Sequence, residues 1–269
     1  MWAGFSRPDR LLLAAISLFV SVYLAVFLGL GIAVVALGVA AFQWIALISV
    51  IVATAATVAI VEQGRWRLGL FVPLQFAIRE FVFGLLFAAA LIVAGDGLII
   101  VSGHLRHTAG NGFPWLQMLA VFLPAPFHEE LLFRGYLFQK IRRWSRGAAM
   151  AISAFLFAVL HGKNIGISPL AVVNVFLAGV LLALAYERYE RLWFPIGIHM
   201  AWNVISGPML GFPVSGFVAR DTLLRTISSG PGWITGGSFG IEGSAWMGVV
   251  EVAAIVWLLN AECRMKNAE

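Results

Sequence analysis

The fold of this chain is decided by residues 11–61, which read LLLAAISLFVSVYLAVFLGLGIAVVALGVAAFQWIALISVIVATAATVAIV and contain no charged residue. A helix needs about 20 apolar residues to cross the hydrocarbon core of a bilayer, so this stretch is long enough for two crossings. We expect the turn between them near Gly38, because glycine readily interrupts a helix. A secretory signal peptide has a shorter apolar stretch and a small-residue cleavage site, so Arg7 and Arg10 are interpreted as a retained cytoplasmic anchor.

The composition of the whole chain is also typical of a membrane protein. Of its 269 residues 61% are apolar and 12% are charged, with a mean hydropathy of +0.93, whereas soluble proteins are about 45–50% apolar and 25% charged. The net charge is +5, but the Lys and Arg residues lie at the ends of apolar segments and form no continuous basic patch, so we expect no nucleic-acid partner. The single cysteine, Cys263, excludes an internal disulfide and a cysteine-based metal cluster.

Six further apolar segments bring the predicted number of transmembrane helices to about eight. They cover residues 81–101, 114–138, 148–161, 169–186, 192–207 and 245–259. Several are short, which suits helices surrounded by other helices better than helices that face lipid. Between them, residues 208–243 form a Gly- and Pro-rich loop whose Ile, Phe and Trp residues indicate that part of it folds back onto the bundle or the interface. The predicted fold is an all-α, polytopic membrane helix bundle, with residues 1–269 as a single integral membrane domain.

The basic residues predict the orientation of this bundle. With eight crossings and a cytoplasmic N-terminus, four of the 18 Lys and Arg residues fall on the outer side and Arg134 falls within a helix. The other thirteen fall on the inner side, namely Arg7, Arg10, Arg65, Arg67, Arg79, Lys140, Arg142, Arg143, Arg146, Arg188, Arg191, Arg264 and Lys266. Cytoplasmic loops are enriched in Lys and Arg, so both termini are expected to be cytoplasmic.

Several polar and ionisable side chains lie within the apolar segments. A charge at the centre of a bilayer costs about 2.5–3.5 kcal/mol on insertion scales, so such residues are candidates for function. In chain order they are Asp96, His128, Glu129, Glu130, Arg134, His161, His199 and Asn203. Asp96 and His128 are interpreted as structural or interfacial.

Helical spacing assigns the other residues to different faces. Residues four apart share a face of a helix, so Glu130 and Arg134 can form an ion pair, and Glu129 is left on another face. His199 and Asn203 also share a face. Their two polar groups are therefore aimed at one point.

The depth of these residues supports a common site. Phe157 lies one turn before His161 and is expected to pack beneath it. At 1.5 Å per residue from the cytoplasmic ends, Glu129 lies about 16 Å deep, His161 about 21 Å, His199 about 12 Å and Asn203 about 18 Å. Helices that run in opposite directions thus bring a carboxylate, two imidazoles and an amide to a similar level.

At these residues the sequence resembles the CAAX prenyl protease and bacteriocin-processing family, also called the Abi family, which includes the Ras-converting endopeptidase. The family has three motifs, Glu-Glu-x-x-x-Arg, Phe-x-x-x-His and His-x-x-x-Asn. They are met here, in order, by Glu129, Glu130 and Arg134, by Phe157 and His161, and by His199 and Asn203. The resemblance covers residues 114–207, the predicted catalytic core.

The resemblance implies hydrolysis of a peptide bond near the membrane by a water activated at Glu129 with help from His161. His199 and Asn203 would then donate hydrogen bonds to the oxyanion, and Glu130 with Arg134 would support the helix. The resemblance thus implies catalytic roles for Glu129, His161, His199 and Asn203, and supporting roles for Glu130, Arg134 and Phe157.

Three alternatives stay open on the sequence alone. A zinc-dependent version of the same protease would use Glu129, His161 and His199 as ligands, although no HExxH pair is present, and we favour the mechanism without a metal. A noncatalytic bacteriocin-immunity or scaffold protein could use the same fold, and a proton-coupled transporter could use the same residue types. The expected partners are the lipid bilayer and a membrane-associated peptide or protein, prenylated or bacteriocin-like. The location would be the plasma membrane if the host is bacterial.

Overall fold

The computed structural model describes residues 7–66 and 68–266, so Arg67, counted above among the inner basic residues, lies outside the described residues. The described chain is mostly helical. Its helices are α1 (Arg7–Leu37), α2 (Val39–Ile60), α3 (Leu74–Val101), α4 (Trp115–Gln117), α5 (Pro124–Phe133), α6 (Tyr136–Arg142), α7 (Arg146–His161), α8 (Pro169–Tyr189), α9 (Trp193–Val204), α10 (Gly232–Thr235) and α11 (Ala245–Lys266). Two strands, β1 (Leu105–Ala109) and β2 (Leu224–Ser228), pair in an antiparallel ladder.

The N-terminal apolar stretch forms the predicted helical hairpin. Helices α1 and α2 pack along each other, and the only residue between them is Gly38. Gly38 has a φ of 72°, a conformation that side chains with a Cβ rarely adopt, so the turn falls where glycine permits it. The prediction of a turn near Gly38 is confirmed.

Four helices among the described residues are long and apolar enough to cross a membrane. They contain Leu11–Gly31, Ala41–Ile60, Leu74–Val101 and Pro169–Tyr189, and shorter apolar helices cover Arg146–His161 and Ala245–Ala261. Large apolar side chains also face outward, with Leu28, Leu86 and Phe155 at least 60% exposed. An apolar exterior of this kind suits lipid. The prediction of a polytopic helical membrane protein is confirmed, while eight crossings and the side of each terminus stay predictions.

The fourth apolar segment is not one continuous helix over residues 114–138, and that prediction was wrong. The chain makes the short helix α4, a π-helical turn at Met118–Phe122, then α5, which ends at Phe133. After Gly135 the chain restarts as α6, and a Cβ on Gly135 would lie 2.0 Å from the carbonyl oxygen of Leu131. A close approach of backbone to backbone therefore separates α5 from α6, a constraint that hydropathy does not record.

Polar contacts hold the restarted helix α6 against the end of α2. Tyr136 and Lys140 both donate hydrogen bonds to the Glu62 carboxylate, at 2.6 and 2.5 Å. Burial raises the pKa of this carboxyl, but the two hydrogen bonds and the Lys140 charge outweigh it and hold the pKa below its ordinary value. Gln139 caps the break by donating to the backbone oxygen of Arg134.

The loop at residues 208–243 folds back onto the bundle, as its apolar residues predicted. Phe212, Phe239 and Ile241 are at most 3% exposed. The strand β2 lies within this loop, and β1 follows α3, so the ladder ties two distant parts of the chain together. This small ladder is an addition to the predicted all-α fold.

The tightest helix packing is between α3 and α9, through two glycines. A Cβ on Gly84 would lie 2.4 Å from the carbonyl oxygen of Phe194, and a Cβ on Gly197 would lie 2.3 Å from that of Phe81. Small residues allow helix backbones to approach in membranes, where packing drives helix association. The position of α9, which carries His199, therefore depends on these glycines.

We expect Gly84→Ala to force α3 and α9 apart and to destabilise the protein by about 1–3 kcal/mol, as overpacking usually does. Gly97→Ala on the same helix is the matched control, since a Cβ there meets nothing within 4 Å. Thermal unfolding in detergent, followed by tryptophan fluorescence, should show a lower midpoint for the first variant only. Equal midpoints for both variants would contradict this account of the packing.

Candidate active site

A cavity of about 400 Å³ lies among α5, α7, α8, α9 and α11. All four predicted catalytic residues line it, namely Glu129, His161, His199 and Asn203. Phe157 lines it as well, and its ring centroid lies 4.6 Å from that of His161. Three helices that are separate in the sequence thus bring the motif residues to one place.

Glu129 lies between the two histidines. Its Oε2 atom is 3.9 Å from Nε2 of His161 and 3.8 Å from Nε2 of His199. These distances are too long for a direct hydrogen bond, and they suit three groups that contact one small molecule between them. Among the described residues the buried Oε2 atom has no hydrogen-bond partner. Its hydrogen-bonding capacity is therefore available to a substrate or a water.

The contacts of the two histidines determine where their protons lie. Nδ1 of His161 is 2.7 Å from the carbonyl oxygen of Phe157, which can only accept, so Nδ1 donates. Nδ1 of His199 is 2.9 Å from Oε1 of Glu130, and it donates to that carboxylate. Both Nε2 atoms are consequently left facing Glu129. In a neutral ring they are acceptors, and in a doubly protonated ring they are donors.

The ion pair predicted from the four-residue spacing is present and fully buried. Nη1 of Arg134 donates to Oε1 of Glu130 at 3.1 Å, and both side chains are 0% exposed. Nη2 of Arg134 donates to the backbone oxygen of Gly179 at 2.9 Å, which ties α5 to α8. The guanidinium also lies 4.8 Å from the ring centroid of Phe157. Since Glu130 also binds His199, one carboxylate joins the first and third motifs, a contact that spacing within one helix could not predict.

The residues proposed for the zinc alternative do not form a metal-ligand set in this structure. Ligands of a tetrahedral zinc at 2.0–2.2 Å lie about 3.3–3.5 Å apart, whereas Glu129 lies 3.8–3.9 Å from either histidine nitrogen. Within the described ranges no three His, Cys, Asp or Glu side chains are grouped as metal ligands. No step below is therefore assigned to a metal.

The two polar residues interpreted as structural, His128 and Asp96, contact residues outside the three motifs. His128 stacks on the ring of Tyr23, with Nε2 3.3 Å from the phenol oxygen. Asp96 forms an ion pair with His107 of β1, at 3.0 Å. Each connects its helix to a neighbouring element.

Sequence reasoning missed two further carboxylates on the wall of the cavity. Glu251 is 1% exposed on α11, and Glu242 is 8% exposed in the 3₁₀ turn Ile241–Gly243. Glu251 had a signal in the sequence, because it is a carboxylate within the apolar segment 245–259. Glu242 had none, because it lies in the Gly-rich loop and its burial depends on how that loop folds.

The fold and the cavity define a polytopic membrane protein with a hydrolase-like set of a carboxylate, two imidazoles and an amide. Residues 111–205 match the family model described as type II CAAX prenyl endopeptidase Rce1-like. This segment contains all three motifs, so the resemblance drawn from them is confirmed.

A curated relative matches part of the same chain. An uncharacterised 24.3 kDa protein of Escherichia coli is 32% identical over 88 residues, which cover 32% of this chain. The match spans 40% of the length of that relative. Because the match covers less than half of that relative, the activity, substrates and partners of the whole protein are proposed below and do not follow from it.

We expect Arg134→Met to destabilise the protein by about 3–5 kcal/mol, because it leaves the buried Glu130 carboxylate without its cation. Unfolding in detergent measures this loss. The double variant Glu130→Gln/Arg134→Met should recover part of it, since no uncompensated charge remains. Arg220→Met, at an exposed position, is the control and should unfold like the parent. A single variant as stable as the parent would show that the pair is dispensable.

Proposed function

We propose that this protein is an intramembrane endopeptidase that uses a water activated by Glu129 and His161. The observation that supports this most strongly is the position of Glu129 Oε2 between the Nε2 atoms of His161 and His199, inside a cavity. The Rce1-like match of residues 111–205 supports a CAAX-type protease. Mechanism and substrate are proposals.

The proposed reaction begins with a water between Glu129 and His161. Glu129 accepts a proton from the water, and the water oxygen forms a bond to the carbonyl carbon of the substrate. The C–N bond then breaks as the tetrahedral intermediate collapses. The proton passes to the leaving nitrogen, with His161 as the shuttle. Because Nδ1 of His161 is held by the Phe157 carbonyl, Nε2 is the atom that exchanges this proton.

His199 and Asn203 are proposed to stabilise the oxyanion. A donor of this kind contributes roughly 10²–10³ in rate in known hydrolases. Nδ1 of His199 is occupied by Glu130, so Nε2 donates to an oxyanion only when the ring is doubly protonated. The side-chain amide of Asn203 is a donor in either state. The Glu130 and Arg134 pair holds His199 and α5 in position.

The substrate is proposed to be a membrane-associated peptide or protein, prenylated or bacteriocin-like. The cavity combines the polar motif residues with apolar residues such as Phe122 and Leu182, which suits a chain that enters from the lipid phase. Both termini are proposed to be cytoplasmic, in the plasma membrane if the host is bacterial.

We expect Glu129→Gln to lose at least about 10²-fold in cleavage while the fold is kept, because the amide has the same shape and cannot accept the proton. Proteomic comparison of membranes that contain the parent or the variant should show uncleaved precursors accumulating with the variant, and these would identify the substrate. His128→Phe is the control, because it keeps the stacking on Tyr23 and should still cleave. A scaffold protein would keep its phenotype in Glu129→Gln, and full activity of that variant would refute the mechanism.

We expect activity in purified protein to survive strong chelation, since no step requires a metal. The parent protein would be dialysed against a chelator and assayed on a precursor identified by the proteomic comparison. Metal analysis of the same sample would establish that none remains. If activity disappears and returns on addition of zinc, the alternative with Glu129, His161 and His199 as ligands replaces this one.

A further inference from the structure

The cavity holds a buried carboxylate that the proposed reaction does not use. Glu251 on α11 is 1% exposed and lines the same cavity as Glu129. Its Oε2 atom is buried and has no hydrogen-bond partner among the described residues. A buried carboxyl group without a partner either stays protonated and neutral or binds a cation, so Glu251 is available to bind one.

Its neighbour Glu242 differs in having its hydrogen bonds satisfied. Oε1 of Glu242 accepts from Nε1 of Trp202 at 2.9 Å. Oε2 accepts from both the backbone nitrogen and Oγ of Ser215, each at 2.7 Å. The side-chain amide of Asn174 holds the 3₁₀ turn in place by donating hydrogen bonds to the backbone oxygens of Glu242 and Ser244. Glu242 is thus rigidly placed on the cavity wall that it shares with Glu251.

The described part of the cavity wall has little positive charge to compensate these carboxylates. Lys163 is its one Lys or Arg residue, and its side chain is exposed and forms no ion pair with Glu242 or Glu251. Arg134, the buried cation of the first motif, is already bound to Glu130 and to a backbone oxygen. Among the described Lys and Arg residues of the cavity wall, none is therefore paired with Glu251.

The surroundings favour an organic cation over an inorganic ion. The described residues offer no grouped set of metal ligands. Apolar residues of α8, such as Val175, Ala178 and Leu182, line the same cavity, and α8 packs against α11. A charged head on an apolar stem, as in lysine or arginine, matches a carboxylate within apolar walls.

We propose that Glu251, on the cavity wall that it shares with Glu242, forms a subsite for a Lys or Arg side chain of the peptide substrate. This rests on the proposed peptidase function and adds a specificity to it. Glu251 is then a binding residue, and the reacting groups remain Glu129 and His161. A substrate with a basic residue at the matching position is selected over one with an apolar residue of the same length.

The test uses lipid-anchored peptides in which each position in turn carries lysine or norleucine, its uncharged counterpart. Two anchors, S-farnesylcysteine and an N-terminal palmitoyl chain, cover both substrate types. Cleavage in proteoliposomes would be read by mass spectrometry. The parent should prefer lysine at one position by at least tenfold, about 1.4 kcal/mol. Glu251→Gln should lose this preference and cleave the lysine peptide no faster than its norleucine counterpart.

Asp96→Asn is the matched control, because it neutralises a carboxylate in another helix whose partner is His107, and it should keep the lysine preference. If Glu251→Gln also keeps the preference for lysine, or if the parent cleaves peptides but shows no such preference, the subsite is refuted. If the parent cleaves no peptide, binding of the same peptides to Glu129→Gln protein decides the matter. If Glu129→Gln protein binds lysine peptides more tightly than norleucine peptides, and Glu129→Gln/Glu251→Gln protein does not, the subsite is supported even where the peptidase proposal fails. Equal binding of both peptides to Glu129→Gln protein refutes the subsite.

Discussion

The candidate site depends on the Glu130 carboxylate, which is completely buried and binds two partners. It accepts a hydrogen bond from Arg134 one turn away on its own helix and another from His199 on α9. Arg134 continues the chain of contacts to Gly179 of α8. Removing Glu130 or Arg134 would leave the other residue without its ionic partner in a low-dielectric interior, where this is most costly. The network therefore fixes α5, α8 and α9 relative to one another, and with them Glu129 and His199.

The same network explains why irregular backbone is tolerated so close to the site. The π-helical turn before α5 and the break at Gly135 would expose backbone polar groups if they faced lipid. Here the break is covered by Gln139, and Phe122 of the π turn is 2% exposed. Helix α5 is consequently short and carries all three residues of the first motif at or beside its C-terminal end. The end of α5 coincides with the buried contacts of Arg134 and with the close approach of Gly135 to Leu131.

The cavity also shows how a membrane protein distributes charge. Glu242 accepts hydrogen bonds from protein groups at both carboxylate oxygens, whereas Glu130 accepts two at Oε1 and has no partner at Oε2 among the described residues. Glu129 and Glu251 each keep a buried oxygen without a protein partner. In a bilayer such groups are retained at a cost in stability. We attribute that cost to chemistry at Glu129 and to recognition of a cation at Glu251.

The sequence by itself determined the membrane character, the hairpin turn at Gly38, the order of the three motifs and the Glu130 to Arg134 pair. These follow from local chemistry, because hydropathy, glycine conformation and helical spacing act within a few residues. Only the tertiary structure decided the Glu130 to His199 contact, the end of α5 at Phe133 and the place of Glu242 and Glu251 beside the motif residues. Each of these depends on which distant segments meet, such as the loop at residues 208–243 folding back onto α9. A periodic pattern in one helix carries no information about the face that a helix sixty residues away will present to it.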